Sequence, residues 1–481
     1  MDSANEKYSK VQLTGLILGP LVFVVMLLLD PPEGMPLNAW KTASAALWIA
    51  IWWMTEAIPL SATSLLPLVL FPALELFSIR DTAIPYASPT IFLFLGAFII
   101  ARSMEVWGLH KRIALNIIQV IGTSPRSIII GFMIATAFLS MWISNTATSL
   151  MILPIALSVM ALAKQDTEGT SGKNFGIVLL LAIAYSCSLG GMASKIGTPT
   201  NLVLTGYFEQ NFGLDIPFIK WFMVGLPITL VSMPIMYYVL TKWVFPIEVE
   251  VVPGGKELIR KELKQLGKIS RPELGVTVVF VSVAFMWVFR PFLSEFIPGL
   301  SDTTVAVLGS LFLFVIPVNI KKGQFLLSWK QAEKLPWGIL LLFGGGLSLA
   351  AAIADSGLAQ WIGENMNGLS EYHPILIILV VVFIIVMLTE LTSNVATAAA
   401  FLPMVVSLAQ GIGIDPLVLA VPAVIAASCA FMLPVATPPN AVVYSSGALK
   451  ISDMTRGGVA LNFILMVIVT VMSYYLVPMV F

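Results

Sequence analysis

The chain has 481 residues, 58% of them hydrophobic and 11% charged, and its 26 basic and 26 acidic side chains cancel to a formal net charge of zero. A soluble domain carries about 25% charged and roughly 45–50% apolar residues, so a water-soluble enzyme, a nucleic-acid binder and a disordered scaffold are excluded. What remains is an all-α polytopic membrane protein with nearly the whole chain in lipid. Two cysteines and two histidines are too few for a disulfide framework, a haem or an iron–sulfur site.

The polar N-terminal residues lead into an apolar stretch over 11–29. It is long for a cleaved signal core and has no small-residue cleavage site before Asp30, so it reads as the first span. At about 20 apolar residues per crossing, further spans fall near 40–54, 58–77, 89–104, 175–208, 217–240, 272–290, 303–319, 336–354, 416–446 and 457–480, about 11 transmembrane helices in all. Two stretches, 127–163 and 374–409, are almost twice a span in length, and polar clusters interrupt them at Ser144-Asn145-Thr146 and Ser393-Asn394-Val395. Two half-length helices meeting at a polar tip inside the membrane, a re-entrant hairpin, fit each stretch better than two full crossings.

Charge tests this layout. With a cytoplasmic N-terminus and hairpins that return to their own side, all but five of the 26 Lys and Arg residues fall in inside segments. Lys41, Arg80, Lys220 and Arg290 lie outside, and Lys195 falls in a span. That asymmetry is what the positive-inside rule expects, and it puts the C-terminus outside.

The two tips are 249 positions apart. The same offset aligns Phe94 with Phe343, Gly96 with Gly345, Gly108-Leu109 with Gly357-Leu358, Asn145 with Asn394, Thr148 with Thr397 and Pro154 with Pro403. At a shorter offset a second pair follows in mid-span, Gly197-Thr198-Pro199-Thr200-Asn201 and Ala436-Thr437-Pro438-Pro439-Asn440. An odd number of crossings separates the copies, so the repeat is inverted and the hairpins enter from opposite faces. Five segments result: scaffold helices over 1–88, a first repeat over 89–240, a basic cytoplasmic linker over 241–271, further scaffold helices over 272–335 and a second repeat over 336–481. Inverted repeats with matched helix breaks point to a secondary transporter. Irregular backbone at membrane depth survives only where it is buried in protein or lines a cavity.

The chemistry of the breaks agrees. Pro opens the helix, and the freed carbonyls with Asn and Ser oxygens are hard ligands suited to Na⁺ rather than to a soft metal. The helix that begins after each break aims free N–H groups and a positive dipole end at the centre, which favours a carboxylate. Ser, Thr, Asn and Pro also serve as kinks and interhelical hydrogen bonds in spans, but four breaks in two matched pairs are more than packing requires.

These tips and breaks, with WMTEAIPLSATSLLPL over 53–68 and FMLPVATPPNAVV over 431–443, resemble the divalent anion/sodium symporter family, also called INDY or SLC13-type transporters, and within it the bacterial dicarboxylate carriers. The similarity covers nearly the whole chain. It implies a homodimer with a scaffold and a moving transport part, an elevator mechanism, and C4-dicarboxylates such as succinate, malate and fumarate, with sulfate or citrate carried by some relatives. Position by position, it implies that Ser144, Asn145, Thr146, Ser393, Asn394 and Val395 lie against substrate carboxylates, joined by Thr198, Pro199, Thr437 and Pro438. It implies one Na⁺ among Ser140, Ser144, Asn145 and Gly197, and another among Thr389, Thr392, Asn394 and Ala436.

Two positions depart from the pattern. Val395 replaces the hydroxyl that Thr146 supplies in the first tip. Lys195 stands two residues before Gly197, where an apolar residue is expected. An ionisable group at membrane depth is a functional candidate. In one reading its ammonium replaces a sodium ion and the protein is a Na⁺-independent dicarboxylate exchanger. In the other it points into a wet cavity or snorkels to the interface. Glu56 and Glu75 read as interfacial groups, and Glu390 either helps hold a cation, takes a proton or faces water. Trp40, Trp221 and Trp243 read as interface anchors, His110 and His373 as connector residues, and Cys187 and Cys429 as packing.

Two rival classes are weaker. A channel needs rings of carbonyls or charges about a symmetric pore, which an inverted repeat does not supply. An enzyme needs a positioned nucleophile, base or metal set, and no HExxH or GxSxG occurs in the spans. Ser194 and Lys195, a conceivable intramembrane hydrolase pair, point about 100° apart on a helix. The polar connector over 246–271, with Pro253-Gly254-Gly255, suits an anionic lipid surface. The partners implied are thus a dicarboxylate, membrane lipid and a second copy, with no nucleic acid.

Overall fold

Apolar runs bounded by Ser caps, Pro and Gly set out this chain as a series of helices. In the computed structural model, which describes residues 8–122, 124–166, 170–247 and 254–481, the series opens with α1 (Lys10–Leu28) and α2 (Leu37–Thr55). The short α3 (Leu60–Thr63), α4 (Leu66–Ala73) and α5 (Ile79–Ala83) follow, then α6 (Pro89–Val106) and α7 (Leu109–Ile121). Next come α8 (Pro125–Ser140), α9 (Asn145–Asp166), α10 (Thr170–Ala193), α11 (Pro199–Phe212), α12 (Phe218–Tyr238) and α13 (Gly255–Leu266). The second half holds α14 (Arg271–Val288), α15 (Arg290–Leu293), α16 (Asp302–Val315), α17 (Trp329–Ala332), α18 (Trp337–Asp355) and α19 (Leu358–Asn365). It ends with α20 (Pro374–Thr389), α21 (Asn394–Gly411), α22 (Pro416–Ala427), α23 (Pro438–Ser445) and α24 (Ile451–Val480). Lys7 and Pro253 lie outside the described residues.

Local chemistry explains the boundaries. Ser9 and Ser270 close capping boxes with Gln12 and Glu273 at the starts of α1 and α14, and Ser124 and Ser301 cap α8 and α16. Each such cap satisfies N–H groups that have no partner within the helix. Gly108 and Gly357, matched by the repeat, both take left-handed backbone just before α7 and α19, where a side chain would be strained.

Among the described residues nine helices are long and apolar enough to cross a membrane. Some elements differ from the sequence expectation. The span near 58–77 is divided into α3 and α4 around Ser64 and Leu65, between Pro59 and Pro67. The span near 303–319 stops at Val315, and the chain passes into a small antiparallel pair, β1 (Pro317–Asn319) and β2 (Gln324–Phe325). The hairpin arms are longer than half-spans, 16 and 22 residues for α8 and α9 and 16 and 18 for α20 and α21.

The chain divides into two units. The first comprises Met1–Ile91, Val203–Asp215 and Pro336–Ala427. In it α1 packs on α2, α18 packs on α3, and the second hairpin packs on α22. Tyr86 donates its hydroxyl to the Ser64 carbonyl, and Trp53 Nε1 donates to Ser64 Oγ at 3.2 Å. The other unit comprises Phe92–Leu202, Ile216–Leu335 and Ser428–Phe481. Its core is α10, flanked by α8, α9, α12 and α23. Residues 175–198 are buried without exception, as expected of a helix that is apolar on every side.

Candidate functional site

The first hairpin turns between Ser140 and Asn145, within the second unit. Ser140 Oγ donates to Asn145 Oδ1 at 2.5 Å. Ser144 Oγ accepts from the Ala147 N–H, and the Thr148 N–H donates to the Ser144 carbonyl. Asn145 is the first residue of α9, so the N-terminus of that helix opens at the tip. Ser144, Asn145 and Thr146 are half-buried, whereas Ser140 and Thr148 are buried.

The first broken span lies against this tip. Between α10 and α11 the backbone leaves the helix, and Ser194 Oγ donates to the Met141 carbonyl at 2.5 Å. Asn201 Nδ2 donates to the Gly191 and Ser194 carbonyls at 3.2 and 2.7 Å. Two glycines have no room for a side chain. A Cβ on Gly197 would meet the Gly191 and Ser140 carbonyl oxygens, and one on Gly191 would lie 2.7 Å from Asn145 Oδ1. Ser140, Asn145 and Gly197 are therefore brought together around carbonyl, hydroxyl and amide oxygens, with the buried Cys187 thiol against Ser140. The oxygen donors of this set suit Na⁺. Thr198 is buried and Pro199 opens α11.

The second hairpin repeats the pattern within the first unit. Thr389 Oγ1 donates to Asn394 Oδ1 at 2.8 Å, five residues apart as in the first tip, and also to the Ala427 carbonyl at 2.7 Å. Thr392 and Thr397 share a hydroxyl bond of 2.6 Å. Ser393 immediately precedes α21, whose first residue is Asn394, and Ser393, Asn394 and Val395 are half-buried. The second break after α22 returns to the other unit. There Asn440 Nδ2 donates to the Ala430 and Leu433 carbonyls at 3.1 and 3.0 Å, with the separations of ten and seven residues that Asn201 shows. Thr437 Oγ1 accepts from the Asn440 N–H, and Pro438 opens α23, which packs on α9 and α10. Ala436 is buried in that unit, while Thr389, Thr392 and Asn394 belong to the first. Asn201 and Asn440, which fix the carbonyls of both breaks, were visible in the sequence only as the last letters of two motifs.

Lys195 neither snorkels nor opens to a cavity. Its Nζ donates to Asp302 Oδ2 at 2.8 Å and to the Ile216 carbonyl at 2.6 Å. The ammonium is therefore committed to a carboxylate, which leaves the sodium-replacing reading without its charge. Asp302 escaped sequence reasoning because Ser301-Asp302 looks like an ordinary helix start. Glu390 is buried beyond the end of α20. Glu56 and Glu75 both adopt left-handed backbone at helix ends. His110 Nδ1 bonds to the Met104 carbonyl at 3.1 Å, and His373 caps α20. Trp221 is buried and donates to the Met192 carbonyl, so it packs inside the protein rather than at an interface, whereas Trp243 is exposed. Cys187 and Cys429 are buried thiols.

Four helix starts, each preceded by hydroxyls and freed carbonyls, can thus hold small cations on oxygen and an anion on N–H groups. The family described as "Sodium:sulfate symporter transmembrane region" matches residues 10–481 of the chain. The chain is 43% identical over 482 residues to the sodium-dependent dicarboxylate transporter SdcS of Staphylococcus saprophyticus, covering 98% of this chain and 93% of that protein. It is equally similar, over 484 residues, to SdcS of Staphylococcus aureus, covering 99% and 93%. Among solved structures, the YdaH transporter of Alcanivorax borkumensis aligns with a TM-score of 0.57 at 11% identity, covering 90% of this chain and 98% of that one. MtrF of Neisseria gonorrhoeae aligns with a TM-score of 0.57 at 13% identity, covering 98% and 95%. At such identities these two speak to the fold alone.

Proposed function

Because the chain belongs to the sodium:sulfate symporter transmembrane family, we propose that it is a secondary carrier of C4-dicarboxylates such as succinate, malate and fumarate, driven across the plasma membrane by Na⁺. The observation that carries this reading is the doubled oxygen motif, Ser140–Asn145 with Asn201 and Thr389–Asn394 with Asn440. The names of the relatives support the choice of substrate and ion.

One Na⁺ is held by Ser140, Ser144, Asn145 and Gly197, and the second tip offers the matching oxygens of Thr389, Thr392 and Asn394 for another. Ser144, Asn145 and Thr146, with Thr198, Pro199, Thr437 and Pro438, take a substrate carboxylate on one unit. Ser393, Asn394 and Val395 serve the same chemistry on the other. Na⁺ on its oxygens offsets substrate charge, so cation and anion favour each other's binding. The protein makes and breaks no covalent bond. It works as a homodimer by an elevator movement, with the N-terminus cytoplasmic and the C-terminus extracellular.

The test uses purified protein in liposomes and labelled succinate. Uptake driven by an inward Na⁺ gradient is the expected outcome. Uptake only into Na⁺-free vesicles preloaded with unlabelled dicarboxylate would overturn symport in favour of exchange. Silence in both arms, with sulfate or citrate taken up instead, would overturn the substrate assignment.

A further inference from the structure

Each copy of the repeat has a groove between the short helix before its hairpin and the hairpin's second arm. In the first copy α7 and α9 form it, and α13 packs against both. The cavity left there measures about 360 Å³, with Lys111, Ser158, Leu258 and Glu262 in its lining. Glu262 Oε2 accepts from Lys111 Nζ at 2.8 Å. The chain itself thus meets the cation of this wall with a carboxylate.

In the second copy α19 and α21 stand at the matching places, and the cavity is larger, about 500 Å³. It lies wholly within the first unit. Tyr207 and Phe212 of α11, Gln360 and Glu364 of α19, and Ser407 and Gln410 of α21 line it. At the offset of 249 residues Gln360 matches Lys111 and Glu364 matches Leu115, so the wall has exchanged a cation for an anion. Among the described residues no Lys, Arg or His lines it. Its size falls in the range of small-molecule sites, about 300–1,000 Å³.

The polar groups of the wall are set to accept. Gln360 Nε2 donates to Glu364 Oε1 at 2.8 Å, Ser407 Oγ to the Pro403 carbonyl at 2.8 Å, and Nδ2 of Asn211, also in the lining, to the Tyr207 carbonyl at 3.0 Å. Each spends a hydrogen within the protein and keeps an oxygen for another donor. Glu364, exposed to solvent, is an acceptor alone when ionised. Tyr207 is 3% exposed, and its hydroxyl has no hydrogen-bond partner among the described residues. A buried polar group calls for one. The Tyr207 and Phe212 rings lie 6.2 Å apart, and aromatic faces attract a cation. A carboxylate, spare acceptors and two rings, with no positive group, select a ligand that is positively charged and donates hydrogen bonds. The same charge turns away a second dicarboxylate.

We propose that this cavity binds a small organic ammonium ion, with the ammonium on the Glu364 carboxylate and the rest of the ligand against Tyr207 and Phe212. The site is distinct in its residues from those assigned to dicarboxylate and Na⁺ and goes beyond the transport reading.

The test uses the full chain in deuterated detergent and ligand-observed NMR titration with two probes of equal length. One is 5-aminopentanol, an ammonium ion at neutral pH, and the other is the uncharged 1,5-pentanediol. The amino alcohol is expected to half-saturate at a concentration about tenfold or more below that of the diol, the advantage of a charge-assisted hydrogen bond. Glu364→Gln is expected to bring the two probes within about twofold of each other. Tyr207→Phe is expected to weaken the amino alcohol about threefold, an effect that a loose counterion on the exposed Glu364 would not show. Equal binding of the two probes to wild type overturns the proposal. So does a Glu364→Gln variant that keeps their difference, or a Tyr207→Phe variant that binds as wild type does. If either variant does not accumulate, the wild-type comparison and the other variant decide by the same criteria. Both variants are expected to carry succinate within about twofold of wild type, so failure of this inference leaves the transport reading standing. Loss of uptake in either would overturn the separateness of the site.

Discussion

The two copies of the repeat keep the same hydrogen bonds at their hearts and differ in what braces them. In each tip a hydroxyl donates to an Asn oxygen five residues on, and in each break an Asn amide gathers carbonyls ten and seven residues back. Around these bonds the copies part. Gly197 corresponds to Ala436, Ile143 to Thr392 and Lys195 to Pro434. The first break is anchored by a buried ion pair, and the second has proline at that place. Geometry is kept where oxygens are presented, and chemistry varies where a loop has only to be held.

The largest expected effect breaks the equivalence of the tips. Asn145→Ala and Asn394→Ala should each reduce succinate uptake to background while the protein still folds and inserts, checked by size-exclusion chromatography beside the liposome assay. If both variants carry succinate normally, the site assignment is wrong.

A second pair of variants sharpens the contrast between the breaks. Gly197→Ala pushes a methyl into the Ser140 and Gly191 carbonyls and should raise half-saturating Na⁺ at least tenfold, with overpacking that costs about 1–3 kcal/mol. Ala436→Gly removes a methyl at the matched position and should move the Na⁺ curve less than threefold. Equal responses would mean that the breaks are not distinguished by space.

Asn201→Ala and Asn440→Ala each remove two bonds, and the Ser194 and Leu433 carbonyls keep only the Gly197 and Ala436 N–H groups. Each should lower stability by about 2–3 kcal/mol, read as earlier thermal unfolding in detergent. The smallest effect is a gain. Thr148 Oγ1 is buried and has no partner among the described residues, whereas its counterpart Thr397 bonds to Thr392. Ile143→Thr supplies the missing hydroxyl and should recover up to about 1 kcal/mol.

Much of this was legible in the sequence. Apolar run length and Pro, Ser and Gly punctuation gave the helices. The offset of 249 residues fixed which tip residues correspond, because a repeat in sequence is a repeat in local bonding. Two things were not legible. Lys195 and Asp302 are 107 residues apart, and no periodicity links a lone charge in a span to a helix-start acid. The lengths of the hairpin arms also escaped, since hydropathy marks an apolar stretch but not where its turn falls.

The complete burial of residues 175–198 has a consequence for biogenesis. Helix α10 leaves the ribosome before α12, α23 and α24, which later enclose it, so it must first rest against lipid. Lys195 emerges 107 residues ahead of Asp302, an interval of about 5–20 s at ordinary rates of synthesis. Until then the ammonium lacks that carboxylate, and a cation at the centre of an inserted helix costs about 2.5–3.5 kcal/mol. The ion pair thus becomes possible midway through synthesis, before α23 and α24 close around α10.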